Sequence, residues 1–314
     1  MPSIVVVGDL LIDRYLYCTP KGLSPEAPII SMDVDEIVSK PGGAANVMMN
    51  LLALSRLHTE RGEKNEVEIK YVGPVPEMLW TILRQIKVEE HFNYYAGRAY
   101  QATVKSRIIF REPYQQIIRF DEDRKTPVSK IDEDTIVAML KDKSYDIGLV
   151  SDYNHGSISQ EVYDAVRRSC TRVLVDPKGG NPRKYQDATL ITPNTEELGT
   201  LTGHRPWSPG KDEARKLQAW CGGADVIHKV GEHGCIHYTE KSDPVVYLAY
   251  RNGHAVIDPT GAGDTFIAML AWCFSLDIPT DKAIKAATRL AGISVTQPGC
   301  FVPEDKDYTD ALYP

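Results

Sequence analysis

The segment DIGLVSDYNHGSISQEVYDAVRRSCTRVLVD, residues 146–176, carries the pattern that decides the fold. It begins and ends with short apolar runs, DIGLVSD at 146–152 and TRVLVD at 171–176. Such runs are typical of strands that are buried on both faces of a parallel sheet. The stretch between them, SQEVYDAVRRSC, has the spacing of an amphipathic helix. The segment therefore predicts a strand, a crossover helix and a second parallel strand.

The same alternation extends in both directions along the 314 residues. Helical patterns such as GAANVMMNLLALSRL and KDEARKLQAWCG lie between further strand-like runs at residues 3–8, 68–73, 188–194 and 224–230. The repetition predicts a three-layer α/β sandwich with a mostly parallel central sheet, in a single domain over residues 1–314. Ligands in such folds bind beyond the carboxyl ends of the strands, where the sequence places Asp13, Asp152, Asp176 and Asn194.

Four other strand-like runs interrupt this alternation, at residues 14–18, 29–34, 100–110 and 115–123. The last two are joined by the turn candidate REPY, and consecutive runs of this kind should pair antiparallel. They predict a small β-sheet that projects from the main domain as a lid, with strands drawn from about 14–36 and 98–121. Because exposed strand edges can pair between subunits, we expect a homodimer through this lid.

The composition argues against several classes of partner. The net charge of −7 and the pI near 5.7 argue against binding to nucleic acids or to a membrane surface, since phosphate-backbone affinity requires clustered Lys and Arg. No run approaches the roughly 20 apolar residues of a membrane span, and the N-terminal segment lacks the basic region of a secretory signal, so we expect a cytoplasmic protein. The six cysteines are far apart and are expected to be reduced and mostly structural.

A glycine-rich turn at residues 258–266, DPTGAGDTF, stands between the β-branched run HAVI and the apolar stretch FIAMLAWCF. A strand, a glycine turn and a helix place unpaired N–H groups and the positive end of the helix dipole at one point, which favours an anion. Gly261 and Gly263 allow the backbone to approach it closely. The turn differs from a P-loop, which has a lysine where Asp264 stands, and from the dinucleotide fingerprint, whose third glycine is replaced by Phe266.

Asp264 is therefore an acidic residue in a predicted anion site. A carboxylate beside a bound phosphoryl group can accept the proton of an attacking hydroxyl while N–H groups stabilise the transferred group, which suggests phosphoryl transfer to an alcohol. The alternative is that Asp264 only caps the helix from Phe266 onward, because Asp is favoured near helix N-termini. Spacing alone leaves both interpretations open.

The turn resembles the C-terminal signature of the ribokinase-like (PfkB) family of carbohydrate kinases, D-T-x-G-A-G-D-x-F. The segments GDLLIDRY, LSPEAPI, KPGGAANVMMNLLAL, QQIIRFD, LVSDYNHG, VLVDPKG and TLITPNTEEL follow the order found in the heptose-7-phosphate kinases of that family, and the resemblance spans residues 3 to about 300. It implies a ribokinase-like fold, ATP as co-substrate, Mg²⁺, and phosphorylation of the anomeric hydroxyl of D-glycero-β-D-manno-heptose 7-phosphate. No second half follows the kinase segment, so we expect the kinase reaction alone.

The same resemblance assigns the residues of the chemical step. It implies that the general base is Asp264 and that the anion hole is formed by Gly261, Ala262 and Gly263. Asn194 and Glu197 match the family's N-x-x-E element, which organises Mg²⁺ and the ATP phosphates largely through water. The alternative for this pair is a capping box, in which the two residues only begin a helix.

Other residues are candidates for the nucleotide. Lys178 follows a strand end in VDPKG and is a candidate phosphate contact, although an exposed loop lysine would look the same. The segment HKVGEHGC, residues 228–235, corresponds to the strand and turn that flank the nucleotide in relatives, which implicates Lys229, Gly231 and Gly234. A plain β-turn explains the two glycines nearly as well.

On the acceptor side, members of the family hold sugar hydroxyls with an aspartate that corresponds to Asp13 and with the PGGAAN segment, here Gly42, Gly43 and Asn46. A carboxylate accepts hydrogen bonds and an amide both donates and accepts them, so Asp13 and Asn46 suit a polyol. The alternative is a tight, capped helix entry.

Arg107 and Arg119 lie on the predicted lid hairpin and are, with Lys178, the candidates for the acceptor's distal phosphate. Arg suits phosphate because its planar fork donates two hydrogen bonds, whereas the alternative is that both arginines are solvated strand residues. His155 stands where heptose kinases often have lysine in DYxKG, which predicts a change on the acceptor side. The rival functions are a kinase of this family for another sugar, sugar phosphate or nucleoside, and a non-catalytic sugar- or nucleotide-sensing protein.

Overall fold

The computed structural model describes residues 1–63, 65–93, 95–97, 100–204, 210–250 and 253–313. Within these ranges the strands are β1 (Ser3–Gly8), β2 (Leu10–Leu23), β3 (Ile30–Gly43), β4 (Glu68–Tyr71), β5 (Val75–Pro76), β6 (Tyr95–Gly97), β7 (Thr103–Arg111), β8 (Tyr114–Glu122), β9 (Tyr145–Asp152), β10 (Cys170–Pro177), β11 (Leu190–Ile191), β12 (Asp225–Lys229), β13 (Cys235–Tyr238) and β14 (Val245–Tyr247). The α-helices are α1 (Ala44–Glu60), α2 (Glu77–Gln85), α3 (Lys130–Leu140), α4 (Gln160–Ser169), α5 (Thr195–Thr202), α6 (Lys211–Trp220), α7 (Ala262–Ser275), α8 (Thr280–Ser294) and α9 (Asp305–Leu312). None of these helices is long and apolar enough to cross a membrane.

The central sheet contains eight strands in the order β14-β13-β12-β11-β10-β9-β1-β4. From β4 to β12 all neighbours pair in parallel, and β13 and β14 add antiparallel strands at one edge. The runs predicted as parallel strands form the parallel part of this sheet. The unit at residues 146–176 is β9, α4 and β10, and its two strands are neighbours in the sheet.

Apolar side chains are buried on both faces of the central sheet. In β1, Ile4 and Val6 belong to a core cluster shared with α1, α7 and α8, whereas Val5 and Val7 belong to a cluster shared with α3, α4 and α6. Successive side chains of a strand point to opposite faces, so a strand covered by helices on both sides needs a continuous apolar run. The result is the predicted three-layer sandwich.

A smaller sheet contains four strands in the order β3-β2-β7-β8. The expected antiparallel pairing holds within two hairpins, β2 with β3 and β7 with β8, but β2 and β7 pair in parallel. The first hairpin is longer than predicted, because its ladder continues from Leu23 and Ile30 down to Leu10 and Gly43, where α1 begins. Residues 98 and 99 of the predicted lid segment lie outside the described residues.

Candidate active site

Asp264 lies in the first turn of α7, whose N-cap is Gly261. Its carboxylate does not cap that helix but accepts hydrogen bonds from two other elements. Nδ2 of Asn46 in α1 donates to Oδ2 at 3.0 Å, and Oη of Tyr153, directly after β9, donates to Oδ1 at 2.8 Å. Gly261 has a φ of 78°, and a Cβ there would lie 2.6 Å from Nδ2 of Asn46, so the loop requires glycine.

The environment of Asp264 makes its carboxyl group more basic than usual. Only 4% of the residue is exposed. Burial raises its pKa to about 6, against the lowering effects of Lys178 and of the hydrogen bonds from Asn46 and Tyr153. A carboxyl group with this pKa is mostly ionised at neutral pH and accepts a proton more readily than an ordinary aspartate, which are the properties of a general base.

The segment before the glycine loop differs from the prediction. HAVI, residues 254–257, is not a strand. The N–H groups of Ile257 and Asp258 both donate to the carbonyl of Val295, at 2.8 and 3.2 Å, so the segment lies against the end of α8. β-branched residues form a strand only where a neighbouring strand is available, and here a helix end occupies that place.

Two lysines share one buried carboxylate beside the loop. Asp176, in β10, is fully buried and lies 3.1 Å from Nζ of Lys178 and 2.5 Å from Nζ of Lys229. A Cβ on Gly263 would lie 3.7 Å from Nζ of Lys178 and 3.3 Å from Nζ of Lys229. Both ammonium groups therefore border the first turn of α7, whose N–H groups lack intrahelical partners. This arrangement favours an anion.

Asn194 and Glu197 form the capping box that begins α5. The Asn194 side chain accepts from the N–H of Glu197 at 2.8 Å, and Oε2 of Glu197 accepts from the N–H of Asn194 at 2.6 Å. The other Glu197 oxygen lies 2.9 Å from Nζ of Lys178. Burial lowers the pKa of Lys178, but Asp176 and Glu197 raise it, and the net shift is upward. Glu197 therefore both begins a helix and fixes a lysine of the anion site.

The glycine loop and the nucleotide-side residues line one cavity of about 720 Å³. Its polar wall includes Tyr153, Lys178, Asn194, Lys229 and Asp264, and its backbone wall includes Gly231, Gly234, Gly261, Ala262 and Gly263. The remaining wall is mostly apolar, with Ala249, Val256, Pro259, Phe266, Ala291 and Val295. An apolar slot with cations at one end suits a molecule with a flat base and a phosphate chain.

Of the predicted acceptor-side residues, Asn46 contacts Asp264, and none of them lines that cavity. Asn46 lies in the first turn of α1, and Gly42 and Gly43 end β3 directly before it. A Cβ on Gly42 would collide with the carboxylate of Asp13 in β2. The tight helix entry is therefore present, and it also brings the two polar side chains, Asp13 and Asn46, to the lid side of Asp264.

Both arginines predicted for a distal phosphate are already paired. Arg107 is buried, and its Nη1 donates to Oδ1 of Asp13 at 2.5 Å. Arg119 donates two hydrogen bonds to Asp121, at 2.9 and 2.6 Å. Arg107 is thus not a solvated strand residue, and the geometry favours a role in holding Asp13 over direct contact with a phosphate.

Sequence reasoning missed Tyr153. Besides its bond to Asp264, its ring lies 4.9 Å from Nζ of Lys105 in β7 and 5.3 Å from Nζ of Lys178. Its position directly after β9, at the carboxyl edge of the parallel sheet, was the available signal. Two residues later, Nδ1 of His155 lies 2.9 Å from Oγ1 of Thr103, so His155 contacts the base of the lid.

Comparisons with known proteins show what the chain is similar to. The chain matches the model of the pfkB family carbohydrate kinases over residues 1–307. It is 32% identical over 328 residues to the bifunctional protein HldE of Sulfurimonas denitrificans, covering 99% of this chain and 65% of that protein. The chain thus spans less than two-thirds of the length of the curated relatives that it matches.

Solved structures share the fold at low sequence identity. A ribokinase from Thermotoga maritima has a TM-score of 0.74 and 20% identity, with 100% of both chains covered. An Arabidopsis thaliana ribokinase, solved with ribose and ATP, has a TM-score of 0.70 and 20% identity, covering 99% of this chain and 98% of that one.

Proposed function

We propose a specific reaction for this chain, which belongs to the pfkB family of carbohydrate kinases and is an ATP-dependent sugar kinase. The reaction is phosphorylation of the anomeric hydroxyl of D-glycero-β-D-manno-heptose 7-phosphate. One observation carries the phosphoryl-transfer part of the proposal. Asp264 stands between the cavity lined by the predicted nucleotide residues and the side chain of Asn46 on the predicted sugar side. In this proposal the buried carboxylate lies where the phosphoryl donor and the acceptor hydroxyl would meet.

In the proposed reaction, Asp264 accepts the proton of the acceptor hydroxyl as that oxygen forms a bond to the γ-phosphorus of ATP. The bond from this phosphorus to the bridging oxygen breaks, and ADP leaves with the electron pair. The ammonium groups of Lys178 and Lys229 lie beside the first turn of α7, where they can balance charge on the transferred group. The N–H of Ala262 already donates to the carbonyl of Pro259 at 3.3 Å, so its share in the anion hole is the smallest.

The site suits Mg²⁺ as a partner of the ATP phosphates. In the described part of the chain, no group of three or more His, Cys, Asp or Glu side chains is arranged to hold a metal ion. Mg²⁺ in kinases is commonly held by one or two carboxylates, water and the substrate phosphates, where it neutralises phosphate charge. Asn194 and Glu197 would hold it through water. Glu197→Gln should then raise the Mg²⁺ concentration needed for half-maximal rate. An unchanged Mg²⁺ dependence would leave this carboxylate its roles in capping α5 and holding Lys178.

The heptose 7-phosphate acceptor is supported by sequence rather than by side-chain geometry. The segments LSPEAPI, QQIIRFD and VDPKG resemble those of heptose-7-phosphate kinases. The 32% identity with a bifunctional HldE protein over 99% of this chain agrees with that resemblance. The polar pair Asp13 and Asn46 suits any polyol, so the sugar's identity depends on the test below.

Release of ADP should be measured with heptose 7-phosphate, unphosphorylated heptose, fructose 6-phosphate, ribose and a nucleoside as acceptors. We expect kcat/KM for heptose 7-phosphate to exceed the others by at least about tenfold, which corresponds to about 1.4 kcal/mol. A higher kcat/KM for another acceptor would assign a different sugar kinase. Asp264→Asn, assayed in parallel, controls for contaminating kinases.

We also propose a homodimer through the lid. The face of the small sheet opposite to Asp13 exposes Ile37, Ile118 and Phe120, which is unusual for a monomer's surface. The register pairs Ile37 with Leu16 in β2, and Ile118 with Ile108 in β7. Because Leu16 is an odd number of residues from Asp13 along β2, these apolar side chains lie on the other face of the sheet. Sedimentation of Ile118→Glu should show more monomer than wild type, whereas Ile131→Glu, at an exposed position of α3, should not. Wild-type protein that sediments as a monomer would contradict the dimer.

A further inference from the structure

The half of one sheet face that lies next to α1 is called here the inner face, and it carries six charged side chains: Asp13, Lys40, Lys105, Arg107, Arg119 and Asp121. The register places Lys40 and Lys105 opposite Asp13 on its two neighbouring strands, and Asp121 opposite Lys105. Side chains that lie opposite each other in a sheet point to the same face. Residues two apart along a strand also share a face, which adds the arginines.

Arginines neutralise both carboxylates of the inner face. Arg107 donates to Oδ1 of Asp13 at 2.5 Å, and the thiol of Cys300 lies 3.3 Å from the other Asp13 oxygen. Arg119 holds both oxygens of Asp121. These pairs cancel in charge, so the two lysines supply the net charge of the inner face.

Lys40 and Lys105 have no carboxylate within ion-pair distance among the described residues. Nζ of Lys40 donates to the carbonyl of Cys300 at 3.4 Å, and Nζ of Lys105 lies over the ring of Tyr153. Burial lowers the pKa of Lys105, although Asp13 raises it. An enclosed ammonium group without a counter-ion is costly, and an anion bound beside it offsets that cost.

We propose that Lys105, with Lys40, binds the phosphate monoester at the far end of the acceptor sugar, an inference that rests on the proposed kinase function. The position of Lys105 sets the length of the acceptor. One tyrosine ring separates its ammonium group from Asp264, since the hydroxyl of Tyr153 donates to Asp264 at 2.8 Å while its ring contacts Lys105. An acceptor hydroxyl at Asp264 can therefore coexist with a phosphate at Lys105 only if a sugar ring lies between them.

The test compares phosphorylated and unphosphorylated acceptors. In Lys105→Met, which keeps the apolar stem and removes the charge, KM for heptose 7-phosphate should rise by about 10- to 100-fold, equivalent to about 1.4 to 2.8 kcal/mol. KM for ATP and for unphosphorylated heptose should change by less than about twofold, because neither places a phosphate at Lys105. Lys40→Met should have the same selectivity with a smaller effect, since its ammonium group already has a carbonyl partner.

Two controls keep the result interpretable. Lys105→Arg restores the charge and should recover most of the affinity for heptose 7-phosphate. Lys21→Ala removes an exposed lid lysine that pairs with Asp33, and should leave every KM unchanged. Equal increases in KM for phosphorylated and unphosphorylated heptose in Lys105→Met, or no increase for either, would overturn the phosphate site.

The wild-type assay separates this inference from the proposed substrate. If fructose 6-phosphate is the better acceptor and its KM depends on Lys105, the phosphate site stands and the heptose assignment fails. If wild-type enzyme uses no phosphorylated sugar better than its unphosphorylated counterpart, the phosphate site is overturned even though the kinase assignment stands.

Discussion

Two pairs of lysines lie near the candidate active site, one on the cavity side and one on the lid side, and they differ in how their charge is neutralised. On the cavity side, Lys178 and Lys229 share the buried carboxylate of Asp176. On the lid side, Lys40 and Lys105 flank Asp13, but Arg107 occupies that carboxylate. The cavity-side pair is fixed by the protein's own ions, whereas the lid-side pair has charge to spare for a ligand. The lysines at the anion site are therefore held in place by protein carboxylates, whereas the lysines on the lid side are available to select the acceptor.

The comparison depends first on Asp264, the residue between the two pairs. Asp264→Asn keeps the size of the side chain and removes the base, so kcat should fall by about 10² to 10⁴ with little change in KM for ATP. Asp281→Asn, which alters an exposed carboxylate paired with Lys285, should keep wild-type kcat. An Asp264→Asn enzyme that retains more than about a third of wild-type kcat would remove the base from the mechanism.

Breaking the cavity-side pair should cost folding stability. Lys229→Met removes one partner of fully buried Asp176, and the free energy of unfolding should fall by up to about 3 kcal/mol, the lower end for a broken buried ion pair because Lys178 still faces the carboxylate. Urea unfolding measures this change. A loss below about 0.5 kcal/mol would mean that Lys229 is held for ligand binding alone.

Removing the hydroxyl of Tyr153 should shift the pH dependence of the reaction. The rate requires ionised Asp264, whose pKa is about 6, so kcat falls as the pH drops through that value. The Tyr153 hydroxyl stabilises the ionised form, as do Lys178 and Asn46, while Asp176 opposes it. In Tyr153→Phe the pKa of Asp264 should therefore rise, and the acid limb of kcat should move to higher pH.

The pH profile of kcat measures this shift, with most of the rate recovered in alkaline buffer. Tyr163→Phe is the matched control, because the Tyr163 hydroxyl donates a hydrogen bond to the carbonyl of Gln186. Its side chain belongs to the core cluster shared with α3, α4 and α6. An acid limb that is unchanged in Tyr153→Phe, or that moves equally in Tyr163→Phe, would show that the bond to Asp264 does not set its basicity.

The smallest expected effect sharpens the contrast between the lysine pairs. Lys105→Met removes an enclosed charge that lacks a carboxylate partner, so the free energy of unfolding should stay within about 1 kcal/mol of wild type or increase. Urea unfolding beside Lys229→Met makes the comparison direct. A loss in Lys105→Met as large as in Lys229→Met would mean that both lysines are structural.

Local pattern was sufficient for the architecture of the central sheet. The apolar runs that form β1, β9 and β10 are typical of strands covered by helices on both faces. A helix that connects two such strands favours their parallel pairing, which the structure has. HAVI at 254–257 was misread because strand propensity needs a neighbouring strand, and its neighbour is the end of α8. The parallel pairing of β2 with β7 likewise depends on how distant segments meet.

The sequence by itself determined the layered fold, the glycine loop with its acidic residue, and the family that these motifs indicate, because each depends on residues close together in the chain. Tertiary structure decided the partners of those residues. It paired Arg107 with Asp13, placed Tyr153 against Asp264 and left Lys105 without a carboxylate partner. The first two contacts join residues that are 94 and 111 positions apart in the chain. Charge pairing depends on distance in space and on burial, and neither quantity is encoded in local spacing.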